Sequence, residues 1–328
     1  MSTDPTRRTT PVLRQRRAER IDRLSELAAA PPDERGESIT REALRRLRRS
    51  PMAIAGAVVI LLFVVLALIG SFIAPYSATE TVGLHLIRPG QIPGASADHW
   101  FGLDQLGRDE LSRLLVGARQ TLLVGVVATL IGFSAGAVIG GLAGAANALG
   151  GRVGMWIDSV LMRFIDMLLA MPPLLLAFSV AAVLGRSLVT VMIAVGVAAI
   201  PIFARLLRGA MIAQAHRDYV VAATALGVRR RKVVLGHIFP NSLAPVLVQA
   251  TLTLATAIIE AAALSFLGLG NPDSRIPEWG TMLADAQDQL AVRPMLAVYP
   301  AVAIIITALG FTLLGESMRE ALDPKLRR

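Results

Sequence analysis

Residues 218–241 read DYVVAATALGVRRRKVVLGHIFPN, from Asp218 to Asn241, a polar and basic stretch set between two long apolar runs. In its first half Tyr219, Ala223 and Leu226 recur at helical spacing, with Asp218 placed to cap and Gly227 free to turn left-handed where that helix ends. In its second half Val233, Val234, His237 and Ile238 share one side while Arg229, Arg230, Arg231 and Lys232 crowd together, and Pro240 is expected to stop the helix. The pattern predicts a short helix, a glycine corner and a second short helix at a membrane surface, between two spans.

Composition agrees with that setting. Of 328 residues, 54% are hydrophobic and only 17% charged, and the mean hydropathy is +0.59. One soluble core of this size would not use so much apolar surface, so the class is an all-α, multi-span membrane protein. The formal charge is +9, but the excess sits in residues 1–50 and in loops beside apolar runs, where it reads as membrane orientation and not as nucleic-acid binding. Cysteine is absent, which excludes disulfides, thiolate metal sites and cysteine nucleophiles. The lysines are Lys232 and Lys325, neither followed by Ser or Thr, so there is no phosphate loop of the Walker type and any ATP chemistry belongs to a partner. His85 and His99 stand isolated. With no Ser/His/Asp spacing, paired carboxylates or metal cluster, the reading is a non-enzyme without cofactor or metal.

Upstream of the opening stretch, the spacing predicts a span over Leu188–Leu207 and another over residues 155–184, WIDSVLMRFIDMLLAMPP and the apolar run after it. Arg163 and Asp166, three apart, are expected to pair on one face of that helix, with a part in transmitting motion as the functional alternative. A span over Thr121–Ala143 carries Gly132, Gly136, Gly140 and Gly144 at four-residue intervals, a stripe on which a neighbouring helix can pack closely. Pro75–Leu115 reads as an external segment, in which Asp104 and Asp109 can cap a short helix with Arg113 at interfacial level. Met52–Ala74 is a first span of about 23 residues without a charge, enough at ~1.5 Å per residue to cross a layer of ~30 Å. Residues 1–50 form an Arg-rich tail, disordered to about Ser38. From Ile39 it should become a helix lying on anionic lipid, with Leu44 and Leu47 on its apolar face. Four spans separate tail from loop, so both arginine-rich regions fall on the cytoplasmic side.

Downstream, a span over Leu243–Leu267 carries one acid, Glu260, close to Ser265. An ionisable group at membrane depth is a functional candidate, beside the plainer reading of a helix–helix hydrogen bond. NPDSRIPEWGTMLADAQ follows as an external cap with Trp279 as an interfacial aromatic. The last span, Met295–Leu314, ends in a basic cytoplasmic tail, residues 317–328. The chain thus divides into the tail (1–50), the first span with its external segment (51–115), a five-helix core containing the loop 216–241 (116–316) and the C-terminal tail.

The opening stretch resembles the cytoplasmic loop of bacterial ATP-binding-cassette importer permeases. That family's signature is Glu-Ala-Ala, three residues, Gly, then Ile-x-x-Pro or similar. Here it reads Val221-Ala222-Ala223, Gly227 and His237-Ile238-Phe239-Pro240-Asn241, with Val221 in place of the acid. The likeness runs from about Thr40 to the end and is similar to the second (C-type) permease of dipeptide, oligopeptide and nickel importers. Gly102, Asp104, Gly107, Arg108, Asp109, Ser112 and Arg113 match one stretch of it. Met162, Arg163, Asp166 and Pro172 match a second. Glu260 with Ser265, Phe266, Leu267 and Gly268, and then Pro277, Trp279, Gly280, Met282 and Leu283, match two more.

The resemblance implies a six-span type I importer fold in a bacterial inner membrane, both termini cytoplasmic. It implies a homologous second permease, two ATPase subunits and an external binding protein that delivers peptides. Asp218, Tyr219, Ala222, Ala223, Leu226, Gly227 and Pro240 would form the ATPase-docking loop. Dipeptides, longer peptides, nickel chelates and sugars stay open as cargo. An ion-coupled carrier using Glu260 is the alternative from another class, for which interrupted spans, several buried charges and a repeated half would be expected.

Overall fold

The computed structural model describes residues 44–88 and 91–322. The expected disorder of the tail, the start of its surface helix at Ile39 and the basic end after Leu322 lie outside the described residues; residues 44–47 are helical. Helix α1, Pro51–Ile73, starts with Ser50 accepting from the Ala53 amide at 3.3 Å and with proline in its first turn. An irregular segment with one 3₁₀ turn, Leu84–Leu86, leads to α2, Glu110–Leu149. Asp109 caps α2, its Oδ2 accepting from the Ser112 amide at 2.9 Å and the Ser112 hydroxyl at 2.7 Å. At 40 residues and ~1.5 Å per residue, α2 is far longer than the expected span Thr121–Ala143. The short capped helix anticipated before it is simply its first turns, because nothing between Leu114 and Thr121 interrupts helical hydrogen bonding.

The expected span over residues 155–184 is two helices, α3 (Gly151–Leu169) and α4 (Pro173–Leu184), bent by 91°. Pro172 and Pro173 cause the break, since they remove two amide donors and hold the preceding residues away from helical geometry. Helix α5, Leu188–Ala215, is capped by Ser187. Then come α6 (Asp218–Ala225), α7 (Arg230–Val233), a π turn at Val234–Ile238 and α8 (Phe239–Leu264). Pro240 does not stop the helix: it sits in the first turn of α8, and the π turn before it carries α7 into α8 without a break. A second π turn, Ser265–Leu269, precedes α9 (Trp279–Ala286) and α10 (Met295–Leu322). Five helical stretches among the described residues are long and apolar enough to cross a membrane, six if the bent α3–α4 pair is one span.

Close packing centres on α2 and α5. A Cβ added to Gly132 would stand 2.7 Å from Ala199 Cβ, at Gly136 2.5 Å from Phe203 Cβ, at Gly140 2.3 Å from the Ala204 carbonyl oxygen and at Gly144 2.8 Å from Met211 Sδ. The two backbones therefore touch along four turns, which only glycine on that stripe permits. Helix α1 meets α10 in the same manner, Gly56 against the Gly310 carbonyl. Its other face, with Leu61, Leu68 and Phe72, is bare. Around these seams sit four apolar cores among the described residues, the smallest joining Ala143, Met162, Ile165 and Ala204. One joins Val124, Val191 and Leu264, another Phe63, Ile258 and Phe311, and a third, at the loop end, Phe203, Met211, Val220 and Ile238.

Candidate functional site

At the end of the bundle where α2 finishes, α6 stands between α5 and α7. Arg217, not Asp218, is its N-cap residue; Asp218 lies in the first turn and its side chain makes no cap hydrogen bond. Val220 is buried in the loop-end core and Ala223 packs half-buried against it, so Ala223 turns toward the bundle. The opposite side is open. Tyr219, Val221, Ala222 and Leu226 are exposed, Leu226 to 84%, with the Tyr219 hydroxyl donating to Gln214 Oε1 at 2.8 Å. The helix ends in a left-handed Gly227, φ +77°. The Gly227 amide donates to Thr224 O at 3.0 Å and the Val228 amide to Ala223 O at 3.1 Å, the paired closure that satisfies two of the last carbonyls of the helix. His237 is exposed, not on the buried side with Val233, Val234 and Ile238. The π turn adds a residue to the cycle and rotates it out.

Next to this corner the bundle is tied by ion pairs. Arg163 and Asp166 do not pair: Asp166 accepts from Arg205 on α5, and Arg163 points out with no partner among the described residues. A second pair was not anticipated from sequence. Arg208 grips Asp158 with Nε at 2.5 Å and Nη2 at 2.7 Å, and Asn147 Nδ2 donates to the same carboxylate at 2.9 Å. Asp158 and Asp166 lie eight apart on α3, Arg205 and Arg208 three apart on α5.

The far end, at the start of α2, holds a buried charge cluster. Asp104 caps no helix; its Oδ1 accepts from the Leu106 and Arg108 amides, each at 2.9 Å, and its Oδ2 from Arg108 Nε at 2.5 Å. Arg108 and Arg113 both donate to the Ser274 carbonyl, at 2.6 and 3.1 Å, and Asp285 lies 3.6 and 3.9 Å from them. Arg113 is 1% exposed, far from the interfacial position expected of it. His99 is not isolated either, its Nδ1 lying 2.9 Å from Asp109 Oδ1. Burial pushes the Asp285 carboxyl up, against the opposing pull of Arg113 and Arg108.

Glu278 accepts from the Gly280 and Thr281 amides, 2.9 and 3.0 Å, as the cap of α9. Burial pushes its carboxyl up, while those two amides act the other way. Trp279 is no interfacial aromatic: it is buried edge-on against Phe63, ring centres 5.5 Å apart, and its Nε1 donates to Leu114 O at 2.9 Å. Glu260 is half-buried in α8 without a hydrogen-bond or ion-pair partner among the described residues, and Ser265 is buried at the start of the π turn that follows.

Comparison with known proteins accounts for this architecture. Residues 136–328 match the family described as binding-protein-dependent transport system inner membrane component, and residues 38–86 the N-terminal TM domain of oligopeptide transport permease C. The dipeptide transport system permease protein DppC of Alkalihalophilus pseudofirmus is 38% identical over 90% of this chain and 94% of its own. The glutathione transport system permease protein GsiD of Escherichia coli is 41% identical over 87% of this chain and 90% of its own. A chain of the MetNI methionine ABC transporter, solved in inward facing conformations, superposes with a TM-score of 0.52 at 19% identity, over 64% of this chain and 96% of its own. The last likeness concerns the fold alone; with the first two, it follows that the chain belongs to the inner-membrane permeases of binding-protein-dependent ATP-binding-cassette import systems, in the peptide and nickel branch.

Proposed function

We propose that this permease forms half of the path by which peptides, from dipeptides to glutathione-sized molecules, enter the cell, and that two ATPase subunits drive it through the loop 216–241. One observation carries the docking assignment. Helix α6 is anchored by Val220 on one side while Leu226, Val221 and Tyr219 stand bare on the other, and an apolar face held out from a bundle end marks a contact surface. Asp218, Ala222 and Gly227 complete that face, with Ala223 behind it; Pro240 sets the start of α8. The loop lies on the cytoplasmic side in this reading, with both termini, and the buried cluster around Arg108 lies outside, facing a binding protein. A homologous permease completes the path. The Asp158–Arg208 and Asp166–Arg205 pairs fasten α3 to α5, so a push on α6 reaches the bent α3–α4 pair through α5. Glu260, unpartnered on α8 among the described residues, and Ser265 on the following π turn are the candidate polar groups of the path; Gly132, Gly136 and Gly140 hold α2 on α5 as it moves.

Gly227→Val tests the coupling. A β-branched residue at φ +77° is strained by roughly 1–2 kcal/mol or more, which displaces the corner without touching the core. The complex should assemble and hydrolyse ATP while peptide uptake falls at least tenfold. Normal coupled uptake in this variant would refute the role of the corner. Loss of ATPase subunits on Leu226→Asp, with the other permease retained, would locate docking on α6.

A further inference from the structure

Between α2, the end of α5 and the π turn before α8 lies a cavity of about 320 Å³, lined among others by Val138, Leu142, Met211, Leu235 and Phe239. That volume falls at the small end of ligand pockets, roughly 300–1,000 Å³. No lining residue is polar. Val138, Leu142 and Leu235 are all exposed, so the groove opens sideways from the bundle, along the apolar length of α2.

Its mouth is cationic. Arg230 Nη1 donates to the Leu149 carbonyl at 3.1 Å, one helical turn beyond Ala145, the last α2 residue in the groove. Arg230 and Arg231 stand one turn before Val234 and Leu235, which form the groove's other wall. Arg229, Arg230, Arg231 and Lys232 are all exposed, and none pairs with a carboxylate among the described residues. Arg205 and Arg208, by contrast, are engaged by Asp166 and Asp158.

We infer that this groove binds one anionic phospholipid of the surrounding bilayer, its acyl chain between α2 and the π turn and its phosphate on the Arg229–Lys232 cluster. An apolar slot that opens sideways at membrane depth is reached by lipid tails. Four uncompensated cations at its surface end select a negative headgroup over a zwitterionic one. The long side chains can lay their methylene stems along the slot and keep their charge at the phosphate.

The test uses the full chain purified in detergent with the subunits that accompany it, stripped of lipid and titrated with dioleoyl-phosphatidylglycerol or dioleoyl-phosphatidylcholine, bound lipid being read by native mass spectrometry. Phosphatidylglycerol should bind more tightly. R231Q/K232Q alters only exposed side chains and leaves Arg230 on Leu149; it should weaken phosphatidylglycerol about fivefold per cation, on the order of 25-fold in all, and leave phosphatidylcholine unchanged. V138W, which fills the slot, should weaken both lipids. Equal binding of the two lipids by the wild type, or an unaltered preference in R231Q/K232Q, would overturn the inference. Complete displacement of phosphatidylglycerol by inorganic phosphate would overturn it too, by showing a phosphate site without a lipid slot. So would loss of a companion subunit from V138W with lipid binding intact, by showing that the slot is a protein contact.

Discussion

Replacing Gly140 by alanine puts a methyl group 2.3 Å from the Ala204 carbonyl oxygen and 2.8 Å from Ala204 Cα. Ordinary carbon contacts lie at ~3.5 Å or more, so the gap is more than an ångström too small. The obstructing atoms are backbone and cannot swing aside, so α2 and α5 must part. Because both are stiff, the opening is shared by Gly136 and Gly132 on the same stripe. Forced overpacking of this kind costs about 1–3 kcal/mol. Gly209 provides the matched control, lying inside α5 with nothing within 4 Å of an added Cβ. There the same substitution keeps only the helix-propensity gain of about 1 kcal/mol. At roughly 2–4 °C per kcal/mol, Gly209→Ala should raise the melting temperature of the detergent-solubilised chain by about 2–4 °C, and Gly140→Ala should melt roughly 2–12 °C below it. Indistinguishable melting of the two variants would show that helix contact does not govern the stripe.

The remaining expectations concern the charged groups. Asp158→Ala leaves Arg208 and Asn147 without their acceptor and should destabilise the chain by about 1–3 kcal/mol, with α3 becoming the first site of limited proteolysis; unchanged cleavage would remove the pair from the structural account. The Glu278 and Asp285 carboxyls have folded pKa values above their unfolded ones. The protonated folded form is therefore favoured at low pH, and that contribution is lost as pH rises through the folded values. Melting temperature should fall with rising pH above the usual carboxylate range. Glu278→Gln should flatten that slope, and a wild-type slope in this variant would refute the assignment.

Sequence reading reached the class and most of the spans because long uncharged runs such as residues 52–73 and 188–204 have one stable solution in a bilayer: helices that satisfy their own backbone. It reached the Gly227 corner for a similarly local reason, since a left-handed residue favours glycine. It misread Pro172–Pro173 and Pro240 in opposite directions. Both are proline signals at a helix boundary; the first breaks a span by 91°, whereas the second is carried through by the π turn before it, and only the flanking hydrogen bonds distinguish them.

Pairings were the least legible. Arg163 and Asp166 sit at ideal spacing, yet Asp166 bonds across to Arg205, and Asp158 finds an arginine 50 residues away. Trp279 and Arg113 look interfacial in sequence and are buried, because the segment after α8 folds back over the start of α2. The sequence by itself determined what is local: which stretches are helical, where glycine must bend the chain, and that the whole belongs in a membrane. Tertiary structure decided what is relational, namely which charge meets which, which aromatic is covered and where an apolar groove meets a cationic rim, since burial and partner geometry arise only when distant segments close the same space.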